Sequence, residues 1–407
     1  MKKKFLFFNN LVWWRQIILF WLIWRVGLFL LAWLATYLLP YRPSFPYAEA
    51  LLANSNLPAW IYSWANFDGV HYLTIAKQGY LGTGLIQAFF PLYPLLISLL
   101  GRLGISDILA GLLVGNLSFL SFLLLSYLLI KRVGGEELAK ISIGVILTFP
   151  TSFYFGALYG ESLFVLLAAA GFYFCQQKRW GLAAAMVALA SATRIVGIFL
   201  LAALWWSYWQ ENRKISIERW RHLAIWSLVG AAGLLIYMFY LQVNFHDPLY
   251  FYHVQSEFGG GRQEKIILFP QVVWRYLKIL ASWRWSWAYW AFIQEFVFAL
   301  AGLWLLFWPW FERLIGRRRL RLKLRSDDGL VKIPGGWLLF AWLAFLLPTL
   351  TGTFSSLPRY VLVCLPIFVL IAQHLSSHRW RRWFYFSLST LGLIINTILF
   401  IQGYWVA

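Results

Sequence analysis

Charge is scarce in this 407-residue chain: Asp, Glu, Lys and Arg make up 12% of it, and only 15 residues are acidic. Soluble domains carry about 25% charged residues, so too little polar surface exists to clothe a water-soluble globule. Cysteine is scarcer still. The two present exclude a disulfide-stapled scaffold, and Cys175 and Cys364 both fall in apolar stretches, where they read as core thiols. The sequence also has no G-x-x-x-x-G-K-[ST] loop, no H-E-x-x-H helix, no G-x-S-x-G elbow and no paired C-x-x-C. Nothing therefore calls for ATP hydrolysis, structural zinc or a bound cofactor. A divalent ion beside a carboxylate stays open, without a residue pattern that asks for it.

What is present is apolar. Hydrophobic residues make up 61% of the chain and mean hydropathy is +0.67, which excludes a disordered chain. The composition predicts an all-α, polytopic helical membrane protein, a single domain over 1–407. About eleven spans are expected: 17–39, 108–130, 139–158, 161–177, 181–194, 195–210, 222–242, 288–310, 337–355, 358–374 and 383–402. The net charge of +20 is spread over short basic runs between these segments, such as Lys2-Lys3-Lys4, Lys131-Arg132, Lys178-Arg179 and Arg317-Arg318-Arg319. That pattern predicts a cytoplasmic N-terminus and a positive-inside topology in the cell (inner) membrane, with anionic lipid as partner. No continuous basic face forms, so nucleic acid is not an expected partner. Many of the 26 tryptophans sit beside basic residues, as in an interfacial belt. The first segment lacks a small-residue exit and is expected to stay as a signal anchor. Arg25 inside it is expected to snorkel to an interface.

Two outer segments, 40–107 and 243–287, are too long for simple turns, and long loops on one face carry chemistry. The cytoplasmic connection 311–336 reads as a solvated basic hairpin. On this threading Asp68, Glu161, Arg194, Asp247, Glu257, Arg262, Glu295 and Arg359 all fall on the outer side. Charged groups in so apolar a chain are costly, so their grouping suggests one polar cavity; the alternative is a set of loop charges that touch water.

Each candidate has two readings. Asp68, amid the aromatics of Trp64-Ala65-Asn66-Phe67-Asp68-Gly69, suits a partly desolvated general base, or it caps the helix that follows. His71 shares its helical face as a ligand or hydrogen-bond donor, or is a structural interfacial histidine. In the turn Tyr159-Gly160-Glu161-Ser162, Tyr159 is a candidate substrate contact, and Glu161 binds a sugar hydroxyl or positions a cation, or caps the next helix. Arg194, between two apolar segments, is better explained as an outer-facing phosphate clamp than by topology. Arg359 beside Pro358 is a second phosphate contact, or snorkels. His253, Gln255 and Glu257, interleaved with aromatics before Gly259-Gly260-Gly261 and Arg262, suit sugar recognition or an interfacial helix equally.

The string Asp68-Gly69-x-His71-Tyr72-Leu73-x-Ile75-Ala76-x-x-Gly79-Tyr80, followed by Ala88-Phe89-Phe90-Pro91-Leu92-Tyr93-Pro94-Leu95, resembles the PIG-V-like mannosyltransferases. Pro150-x-x-Phe153-x-x-x-x-x-Tyr159-x-Glu161-Ser162-x-Phe164 and Ala192-Thr193-Arg194-x-x-Gly197 extend the likeness, which covers about residues 60–260. The resemblance implies a prokaryotic member with a GT-C-like helical bundle. It further implies a polyprenyl-phosphate sugar as donor, mannose above others, and a lipid or glycan acceptor. The expected base in the first outer loop falls on Asp68. Family members in eukaryotes usually place Trp before that acid, whereas this chain has Phe67. The rival readings are a membrane transporter or lipid flippase, and a non-catalytic membrane partner. No paired internal repeat supports transport.

Overall fold

The computed structural model describes residues 11–43, 45–211, 216–258, 266–282, 286–315 and 332–406. Among them every regular element is a helix and no strand occurs. The elements used below are α1 (Leu11–Leu38), α2 (Asp68–Gln78), α3 (Leu92–Gly101), α4 (Asp107–Thr148), α5 (Glu161–Gln176), α6 (Trp180–Ser191), α7 (Leu200–Glu211), α8 (Ile217–Phe245), α9 (Phe269–Ser282), α10 (Trp287–Ile315), α11 (Gly335–Thr349), α12 (Leu357–Tyr360), α13 (Leu365–Ser376) and α14 (Arg379–Ile401). Lys2-Lys3-Lys4, Gly259-Gly260-Gly261, Arg262 and most of the 311–336 hairpin lie outside the described residues.

Five helices are long and apolar enough to cross a bilayer, within α1, α4, α8, α10 and α14. Their outward faces carry bare hydrophobes such as Ile23, Leu228, Phe239, Trp304 and Phe384, each more than half exposed. A water-soluble monomer does not present apolar faces on this scale. The chain is a multi-pass helical membrane protein.

α4 has 42 residues, about 63 Å at 1.5 Å per residue, twice the hydrocarbon thickness. It is interrupted at Gly134 and Gly135, the latter at φ 83, so the expected spans 108–130 and 139–158 are two arms. Glu136 bridges Lys131 across the break at 3.0 Å and Lys140 on its own arm at 2.8 Å, charges that belong at an aqueous boundary.

Several expected spans are shorter than the sequence suggested. Helix stops at Thr148, and 149–160 runs through buried turns and a 3-10 segment. The span 358–374 is bent by 89° where α12 and its 3-10 extension meet α13. The span 337–355 ends at Thr349, leaving 350–356 as a loop. Irregular backbone at such depth requires protein partners for its polar groups. These are present: Leu158 N–H donates to Trp64 O at 2.9 Å, Leu92 N–H to Ala192 O at 2.9 Å, and Ile267 N–H to Leu350 O at 2.9 Å.

Arg25 does not snorkel. It is 5% exposed, with its guanidinium 4.0 Å from the Phe29 ring centre and 4.6 Å from that of Trp64. These two aromatic rings supply attraction that water would otherwise give. Cys175 and Cys364 are buried free thiols, as expected.

Candidate functional site

Asp68 opens α2 because the chain turns abruptly before it: Phe67 has φ 58 and ψ −116, a backbone conformation that costs an aromatic residue on the order of 1–3 kcal/mol. Ring packing holds it there, with centroids 4.8 Å from Phe45 and 5.7 Å from both Phe400 and Trp405. Asn66 fastens the same turn, its Nδ2 donating to Phe400 O at 2.9 Å and Ile401 O at 3.1 Å, while Tyr41 Oη donates to its Oδ1 at 3.1 Å. Tyr159 Oη accepts from Asp68 N–H at 3.2 Å and donates to Asn66 O at 3.0 Å. Tyr159, expected as a substrate contact, is buried and not among the residues lining the cavity described below; it is a brace behind the acid.

Four of the singled-out charges meet in one network. Arg359 Nη1 donates to Asp68 Oδ2 at 2.6 Å, and its Nε lies 3.1 Å from Glu161 Oε1. Arg194 Nη1 donates to the same Glu161 oxygen at 2.5 Å. Carboxylate and guanidinium alternate, Asp68–Arg359–Glu161–Arg194, so two cations are held together without net charge. Tyr rings flank them, with Arg359 Cζ 5.3 Å from the Tyr159 centroid and 5.6 Å from Tyr360. Each residue sits at a helix end: Asp68 and Glu161 begin α2 and α5, Arg194 follows α6 in extended conformation, and Arg359 lies on the short α12.

The network opens onto a cavity of about 590 Å³. Asp68, Arg194 and Arg359 reach its wall; Glu161, fully buried, supports them from behind. Phe89, Phe90, Phe251, Tyr252, Phe292 and Trp405 give apolar faces, and Gln255 adds a polar one. Burial of Tyr72 pushes its hydroxyl pKa up, so this lining group remains a proton donor.

The other candidates are placed differently. His71 stacks on Phe89 with centroids 5.0 Å apart and does not line the cavity. Burial lowers its pKa, against an opposing pull from Asp68. His253 is half exposed, its Nδ1 2.6 Å from Asp247 Oδ2, and that bond holds the Asp247 carboxyl below its ordinary range. Glu257 is exposed, and neither it nor His253 is among the lining residues. Arg262 lies outside the described residues. Among the described residues, no group of three His, Cys, Asp or Glu side chains is arranged to hold a metal ion.

The hydroxyls of one wall went unread in the sequence: Thr351, Thr353, Ser355 and Ser356 line the cavity beside Glu295, whose Oε1 accepts from Ser356 N–H at 3.1 Å. The run Thr349-Leu350-Thr351-Gly352-Thr353-Phe354-Ser355-Ser356 is dense in hydroxyls for so apolar a chain, which was the available signal. Trp405, after the last span, was missed as well.

Compared with known proteins, the chain matches no family model, no curated protein and no solved structure. What fold and site define together is a multi-pass membrane protein with an acid and two arginines facing a partly aromatic cavity.

Proposed function

We propose that the chain is a membrane glycosyltransferase of the GT-C type, moving a hexose, mannose in the reading its motifs favour, from a polyprenyl-phosphate donor to a hydroxyl acceptor of lipid or glycan. The observation that carries the reading is the Asp68–Arg359–Glu161–Arg194 network with three of its members on the cavity wall. A carboxylate suits proton removal, and two guanidiniums suit a phosphate. Each guanidinium has five N–H donors, so the bonds to carboxylates leave others for a phosphate.

The charges balance through the step. An acceptor hydroxyl attacks the anomeric carbon while Asp68 takes its proton, and the bond from that carbon to the phosphate oxygen breaks. The leaving phosphate gains one negative charge as Asp68 loses one, so Arg359 turns from the neutralised acid to the phosphate beside it. Direct displacement inverts the anomeric centre. The aromatic wall covers the sugar and excludes water. The basic runs orient the chain with its N-terminus in the cytoplasm and the cavity on the outer face of the cell membrane.

Transport or lipid flipping is the rival class. Incubating the purified protein with labelled polyprenyl-phosphate mannose and a panel of hydroxyl acceptors separates them. Labelled product of inverted configuration supports transfer, whereas movement of intact lipid across vesicles without product supports the rival.

A further inference from the structure

A lipid-phosphate sugar presents two chemistries, an anionic phosphodiester and, one bond away, a ring bearing hydroxyls. The cavity wall is divided the same way. Arg359 and Arg194 answer the anion, and the loop before α12 carries Thr351, Thr353, Ser355 and Ser356 on the wall. The two parts adjoin along the chain: Arg359 follows Ser356 by three residues, and its backbone N–H donates to Ser356 O at 3.0 Å in the turn that begins α12.

Glu295 belongs to the same wall. It is 1% exposed, and a carboxylate buried this deeply is costly unless fixed by donors. Ser356 N–H donates to its Oε1 at 3.1 Å and Tyr276 Oη to its Oε2 at 2.6 Å. Tyr276 also accepts from Phe354 N–H at 3.1 Å, and Arg275 Nη1 donates to Gly352 O at 3.1 Å, so α9 holds the loop against the carboxylate. Thr351 Oγ1 donates to Pro348 O at 2.8 Å and Thr353 Oγ1 pairs with Tyr276 Oη at 3.2 Å, which fixes both hydroxyls in place. Oriented hydroxyl oxygens beside a fixed carboxylate match the vicinal hydroxyls of a pyranose.

We infer that the loop Leu350–Ser356 together with Glu295 is a pyranose-binding wall that reads the ring hydroxyls of the donor sugar, beside the arginines that take its phosphate. The inference rests on the sugar-transfer reading and adds to it where the sugar is recognised.

The test compares binding of polyprenyl-phosphate mannose with that of bare polyprenyl phosphate, by thermal stabilisation of the purified protein. The natural chain is expected to favour the sugar-bearing lipid by about tenfold, at about three- to tenfold per hydrogen bond. Thr351→Val with Ser355→Ala is expected to remove that preference and leave binding of the bare lipid phosphate unchanged, which also shows that the variant is folded. Ser355→Ala alone should lose part of it. A preference that survives both changes overturns the wall, as does equal binding of the two lipids by the natural chain. Absence of binding by either lipid overturns the transfer reading and this inference with it. A preference located on these residues supports the wall whether or not turnover is seen.

Discussion

Arg359 and Asp68 are 291 residues apart in the chain, yet the guanidinium donates to the carboxylate across 2.6 Å. The same guanidinium faces Glu161 at 3.1 Å through a different nitrogen. Arg359 is therefore a planar bridge between a carboxylate on the cavity wall and one behind it, tying the start of α2 to the start of α5.

That geometry makes the Arg359→Lys change severe. A single ammonium keeps the charge but not the fork that reaches two acids in fixed directions. Transfer should fall by about 10²–10³, the range for losing one preorganised donor to a developing anion. Initial rates with saturating acceptor check this, and a rate within about twofold of the natural chain contradicts the bridge.

Gly197 positions Arg194 indirectly. Its N–H donates to Arg194 O at 2.9 Å, and a β-carbon there would lie 2.4 Å from the backbone of Ala190 and Ser191. Backbone cannot yield as a side chain does, so Gly197→Ala should destabilise by about 1–3 kcal/mol and displace Arg194. Lower thermal stability with a raised KM for the donor is the expected pair of results. An unchanged melting temperature would show that the close approach is relieved.

Asn66→Asp tests the fastening of the Asp68 turn. The amide donates to two carbonyl oxygens at 2.9 and 3.1 Å, and a carboxylate there would oppose both. A loss of about 1–3 kcal/mol or more is expected, read as a lower melting temperature at neutral pH. The loss should shrink as pH falls and the new acid takes up a proton.

His71 gives a pH dependence of definite sign. Burial against Phe89 lowers its pKa from the ordinary 6.5, so the folded chain holds the ring neutral where the unfolded chain protonates it. Its contribution to stability is complete above pH 6.5 and is lost as pH falls from there through the lower folded value. His71→Phe should flatten the decline in melting temperature over that window. Parallel curves for the two proteins would show that the ring does not titrate there.

Much of this was legible in the residues. Asp68, Glu161, Arg194 and Arg359 stood out because charge is so costly in an apolar chain, and they converge. What the sequence hid has physical causes. Hydropathy averaging treats Thr and Ser as nearly neutral, so 337–355 read as one span although its last residues form a cavity wall. Arg25 read as a snorkelling residue because part of its cover, the Trp64 ring, depends on a loop folding back against α1, where Phe29 supplies the rest. His253 shared a polar, aromatic stretch with Gln255, but only Gln255 reaches the cavity, since the side of a short helical turn is set by its docking on Ile86–Ala88.

The most direct test is the rate of sugar transfer from labelled polyprenyl-phosphate mannose by Asp68→Asn, measured beside donor binding on the same preparation. With Asp68 as base, the rate should fall by about 10²–10⁴ while the donor still binds. Turnover close to that of the natural chain would contradict the account.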